Sequence, residues 1–163
     1  MNVIKTLPGS NLVVGLTCIG DKLFVLLKRN NDHVEVYSTK TSQNFARLRQ
    51  FSLAGLDTRH CNDMTSCARR RCLYISDWKN SCVHLSALNG TLIAKWSVPG
   101  PPVGISLTPR EIVLVTCRNS RILMELDLSS ESGQCIRQVD YSRTLRDRGT
   151  PCNYLVSSTL SCT

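Results

Sequence analysis

The chain has 163 residues, 42% hydrophobic and 20% charged, proportions of an ordinary globular domain that exclude wholesale disorder. Twenty Lys and Arg against twelve Asp and Glu give a formal net charge of +8, which favours acidic partners such as RNA or acidic protein surfaces. No segment reaches the roughly 18 to 20 apolar residues that cross a bilayer, so no membrane span is expected.

In chain order, residues 1–10 hold one short run, Val3 to Leu7, that reads as a stray outer or closing strand. Pro8, Gly9, Ser10 and Asn11 follow Lys5 and would interrupt the core of a secretory signal, so a cytoplasmic location is expected. Nine strand-like runs or hairpins come next. Asn11 to Ile19 is apolar; Asp21 to Ser38 is two runs about a polar turn; Ala46 to Leu53 alternates. The order recurs in Asp63 to Cys67, Arg71 to Ser86 and Thr91 to Val98, and again in Val103 to Thr108, Glu111 to Ser129 and Gln134 to Tyr141. Residues 142–163 read as a tail or the start of a further unit. Short runs of Val, Ile, Leu, Tyr and Thr between polar turns, with no sustained 3.6-residue period, make the class all-β.

The three hairpins align. Leu23, Leu73 and Val113 occupy matching places, at spacings of 50 and 40 residues, the difference falling in connecting segments. Each unit has four strands, the second almost continuously apolar and the fourth alternating with Arg47, Arg49, Lys95, Arg137 and Gln138. Burial is therefore expected to fall from inside to outside. Such a sheet, repeated every 40 to 50 residues, predicts a partial β-propeller of about three antiparallel blades, over 11–56, 61–100 and 103–141. A twelve-strand sandwich is the competing architecture, and it has no need of a registered repeat.

The second unit, "CLYISDWKNSCVHLS", resembles NHL-type propeller repeats, in which an apolar strand ends in Asp, an Asn-containing turn follows and a Val/Ile-rich strand resumes. Asp77, Asn80, Val83 and Leu85 fit; the third unit matches through Asn119, Ile122 and Met124, with Cys117 in place of the Asp, and the first has Leu27 or Lys28 there. The resemblance spans about residues 11–141 and implies a binding platform for protein or RNA, in relatives sometimes beside a RING and B-box module, which this chain lacks. It also implies a ring of about six blades. Three would then be a piece of a larger propeller, or a fragment, whose open faces need further blades or self-association.

Nine cysteines raise the question of metal binding. Cys61, Cys67, Cys72 and Cys82 lack the paired C-x2-C spacing of zinc knuckles, and no metal or cofactor is expected. Cys67 and Cys72 face each other across a predicted hairpin as a cross-strand pair, though the odd total favours free thiols. Cys18, Cys117 and Cys135 read as small core residues, and Cys152 and Cys162 lie in the tail. Among His33, His60 and His84, only His60, with Cys61, Asn62 and Asp63, makes a local cluster; His33 is placed in a turn, Asp77 reads as a turn cap, and no catalytic residue is assigned. "PGPP" at Pro99 to Pro102 is a rigid connection rather than a phosphate loop.

The expected function is a non-enzymatic scaffold for a protein partner. Its candidate contacts are Trp78, Lys79, Arg69, Arg70, Arg71, Arg118 and Arg121, with Trp96 packed inside. RNA binding is the alternative if those arginines gather beside Trp78 on one face. A metal-dependent hydrolase or lyase is the second alternative, requiring His60 and Asp63 to converge with a residue of another blade.

Overall fold

The computed structural model describes residues 12–28, 33–118, 122–127 and 134–140. Twelve strands form three four-stranded antiparallel meanders. Blade 1 is β1 (Leu12–Ile19), β2 (Lys22–Lys28), β3 (His33–Ser38) and β4 (Arg47–Phe51). Blade 2 is β5 (Cys61–Cys67), β6 (Cys72–Asp77), β7 (Cys82–Ala87) and β8 (Leu92–Ser97). Blade 3 is β9 (Pro102–Leu107), β10 (Ile112–Cys117), β11 (Ile122–Asp127) and β12 (Gln134–Asp140). Short 3-10 turns at Thr41–Gln43 and Thr58–His60 lie in the connections. The Val3 to Leu7 run, the tail, Arg29, Asn119 and Arg121 fall outside the described residues, as do the side chains of Cys135 and Arg137.

Strand alternation sends neighbouring residues to opposite faces of a blade. On one face of blade 2, Leu73 and Ile75 pack against Phe24, Leu26, Val34 and Val36 of blade 1. On the other, Tyr74, Val83, Leu85 and Trp96 pack against Val113, Val115, Met124 and Leu126 of blade 3. Leu73 therefore faces the preceding blade, as Val113 does. Leu23 sits with Val25, Leu27 and Tyr37 on the face of blade 1 turned away from blade 2. The three aligned residues are equivalent in space, and the sheets stack face to face with their first strands side by side, β5 between β1 and β9.

Side chains tie those first strands together. Thr17 and Ser66 hydroxyls share a hydrogen bond of 2.7 Å, and Ser66 Oγ donates to the Cys18 carbonyl at 3.0 Å. The Asp63 carboxylate accepts from the Met64 N–H at 2.8 Å and, across the blade boundary, from the Ile105 N–H at 3.0 Å. Gly15 of β1 comes so near β5 that a Cβ there would lie 2.8 Å from the Met64 nitrogen.

The expected gradient of burial needs correction. The outer strands β4 and β8 are largely exposed, but the driest strands are the middle two of blades 1 and 2, β2 with β3 and β6 with β7. The first strand alternates, with Leu12 and Leu16 of β1 57% and 49% exposed, because a middle strand is flanked by sheet on both edges whereas the first strand lies at an edge. His33 likewise is no turn residue: it opens β3 and is buried beside Glu35.

Candidate functional site

The meander places successive turns on opposite faces of the stack. One face carries the β1–β2, β5–β6 and β9–β10 turns, and the other carries the β2–β3, β6–β7 and β10–β11 turns.

On the first face Arg69 and Arg70 are already engaged. The Arg69 guanidinium makes a bidentate pair with Glu111, from the β9–β10 turn of the next blade, and Arg70 approaches the same carboxylate at 3.8 Å. Glu111 holds Arg69 above its ordinary pKa, and Arg69 holds Glu111 below its own. Arg71 turns instead toward blade 1, at a backbone φ of +53° that closes the β5–β6 turn. There it lines an open groove of about 300 Å³ with Lys22, Phe24, Arg49, Leu88 and Asn89. Arg49 donates to the Leu88 carbonyl at 2.9 Å and lies 5.4 Å from the centre of the Phe51 ring. Among the described residues, three cations and no carboxylate line this groove between blades 1 and 2.

On the second face Trp78 follows β6, 40% exposed, with its ring edge-on to His60 at 5.7 Å and its backbone N–H donating to the His60 carbonyl. Lys79 and Arg118 belong to this face too. The six described arginines and lysines and tryptophan singled out by sequence are therefore divided between two faces, and Arg69 to Arg71 do not meet Trp78. Nor does the His60 cluster converge. His60 packs on Trp78, Asn62 donates to the Pro102 carbonyl, Cys61 is in the core, and both backbone contacts of Asp63 are spent on strand pairing. Burial raises the Asp63 pKa against those two hydrogen bonds.

Beneath Trp78 lies a group that sequence reading missed. Asp77 ends β6 and is the register partner of Cys82, which opens β7; His84, two residues on, shares the face of Cys82. The ligand atoms of Asp77, Cys82 and His84 lie within 4.8 Å of one another, and all three residues are at most 2% exposed. Asp77 Oδ2 and His84 Nε2 are 3.3 Å apart. Asp77 caps the turn as its sequence suggested, accepting from the Asn80 backbone N–H at 3.1 Å and side-chain amide at 2.7 Å. Burial opposes its charge, but the Asn80 donors and His84 keep its pKa below the ordinary value. Burial pushes His84 down, so the imidazole is neutral at pH 7, and burial with the Asp77 charge pushes the Cys82 thiol up to about 11. The other ring nitrogen, His84 Nδ1, is buried without a hydrogen-bond partner.

Cys67 and Cys72 are register partners, as a hairpin requires, and both are buried free thiols. Burial raises the Cys72 thiol, which is thereby a poor nucleophile. Trp96 is 5% exposed and stacks on Tyr74 at 5.8 Å inside the boundary with blade 3.

Known structures bear on this architecture. Kluyveromyces lactis Hsv2 superposes at a TM-score of 0.58 and 12% identity, covering 80% of this chain and 38% of that one. The Kuenenia stuttgartiensis hydrazine synthase gives 0.61 at 17% identity, covering 87% and 38%. A 6-phosphogluconolactonase-like protein of Bacteroides fragilis gives 0.59 at 15% identity, covering 76% and 38%. The chain is a partial β-propeller. These identities establish the fold alone, and the partial propeller spans about two fifths of the length of each of these structures. No protein-family model and no curated protein matches it.

Proposed function

We propose that this partial propeller is a non-enzymatic binding scaffold that takes an acidic protein segment in the groove between its first two blades. The observation that carries the reading is the lining of that groove: Lys22, Arg49 and Arg71 around the edge of Phe24, with no carboxylate among them. Elsewhere on the same face Arg69 is answered by Glu111 and Lys40 by Asp21 at 2.9 Å. An acidic segment supplies the charge the groove lacks, and complementary charge at a partly desolvated boundary governs encounter rate and register.

A protein partner is favoured over RNA because Arg69, Arg70 and Arg71 stand on the face opposite the exposed Trp78, which divides the described basic residues between two faces. The same reading has further blades, or a second copy of the chain, covering Leu16 on the face of blade 1 turned away from blade 2.

The test is titration of the chain with a fluorescent Glu/Asp-rich peptide and, in parallel, with single-stranded RNA. A Lys22→Glu and Arg71→Glu double variant is expected to weaken the peptide by roughly tenfold or more, and Trp78→Ala to leave it unchanged. Unaltered peptide affinity in the double variant, or RNA bound more tightly than peptide, would overturn the assignment.

A further inference from the structure

We propose that Asp77, Cys82 and His84 form a structural zinc site that pins the β6–β7 hairpin of the second blade. Several observations point the same way. One donor each of carboxylate, thiol and imidazole, the mixed set that suits zinc, converges within 4.8 Å. The 3.3 Å between Asp77 Oδ2 and His84 Nε2 is long for a charge-assisted hydrogen bond, yet it equals the edge of a tetrahedron whose metal–ligand bonds are about 2.0 Å.

The repeat itself argues that polarity here is not a demand of the fold. In blade 3 the equivalent positions, the last residue of β10 and the first and third of β11, are Cys117, Ile122 and Met124, which fill the corresponding space with apolar atoms. Blade 2 buries an ionised carboxylate at the same place, and an unneutralised buried charge is expensive. Zinc held by the Asp77 carboxylate and the Cys82 thiolate balances to zero, with neutral His84 as the third ligand. Cys61, the register partner of Asp77 on β5, stands on the same face, one strand away from the trio. All three donors are buried, which shields the metal from bulk solvent and lets it tie the end of β6 to the start of β7.

The experiment uses the full chain, stripped with a chelator and reloaded. Zinc measured by plasma mass spectrometry is expected at close to one equivalent, with a rise in the thermal midpoint on reloading. Cobalt(II) in its place is expected to give the intense visible bands of tetrahedral coordination together with a thiolate charge-transfer band in the near ultraviolet. That band should vanish in Cys82→Ser and persist in Cys67→Ser, whose sulfur faces blade 3. Should Cys82→Ser not fold, Asp77→Asn is read instead, with weaker cobalt binding expected. A folded wild-type chain that takes up neither metal stoichiometrically, or a thiolate band surviving in Cys82→Ser, would overturn the site. Neither outcome touches the groove on the opposite face, so the two assignments fail separately.

Discussion

Glu35 is the residue on which the charge balance of the first blade turns. It is buried in β3, where its carboxylate accepts from the Tyr37 hydroxyl, from Arg47 at 2.8 Å and from the His33 ring at 3.3 Å. Burial works against the charge, but those three donors outweigh it and hold the Glu35 pKa below the ordinary 4.5. The Tyr37 hydroxyl is pushed up to about 12, first by burial and then by the carboxylate it serves. A carboxylate whose folded pKa is depressed contributes stability above its unfolded value and loses it as pH falls through the folded one. Glu35→Gln is accordingly expected to cost about 2 kcal/mol at pH 7. The gap to wild type should hold down to about pH 4.5 and shrink below it, as read by urea denaturation at several pH values. A gap that is flat across that range would show that the charge contributes nothing.

At the scale of the strand, the approach of β1 to β5 decides how tightly blades 1 and 2 join. A methyl at Gly15 would meet the backbone nitrogen and the Cβ of Met64 at 2.8 and 2.9 Å, atoms with no rotamer to escape into. Gly15→Ala is therefore expected to lower the denaturation midpoint by the equivalent of about 1 to 3 kcal/mol, where an alanine on an exposed strand position would change it little. An unchanged midpoint would mean that the first strands can move apart freely. The strands themselves were legible in the sequence, because alternation and turn residues are local signals: the run predicted from Ala46 to Leu53 contains β4, and that from Thr91 to Val98 contains β8. The Asp77, Cys82 and His84 group was not, since Asp77 and Cys82 are five residues apart and meet only once the hairpin register is known. The D-x4-C-x-H spacing around a turn was its one sequence trace. Burial of the first strand was misjudged for a related reason, as apolar content does not reveal which strand lies at a sheet edge. The arginines were grouped by their nearness in sequence, whereas the meander sorts turns alternately to two faces.

For the whole molecule, the face of blade 1 turned away from blade 2 is dry at Val25, Leu27 and Tyr37 but exposed at its first strand. Leu16, the register partner of Val25, is 49% exposed on the face of blade 1 that turns away from blade 2. Under the scaffold proposal a second copy or further blades cover it, so the isolated 18.2 kDa chain is expected to sediment as a concentration-dependent dimer, and Leu16→Asp to shift it toward monomer. A compact monomer at all concentrations would remove self-association from the account. The boundaries between blades also differ in chemistry. The position filled in blade 1 by Leu27, His33 and Glu35 holds Asp77, Cys82 and His84 in blade 2 and Cys117, Ile122 and Met124 in blade 3. Blades so marked are not chemically interchangeable: each presents a different set of side chains at the same structural position. A chain rewired to place blade 3 directly after blade 1 would set Cys117, Ile122 and Met124 where the first blade meets a carboxylate and an imidazole. The order of the blades is thus written on their flat sides as well as in the loops that connect them.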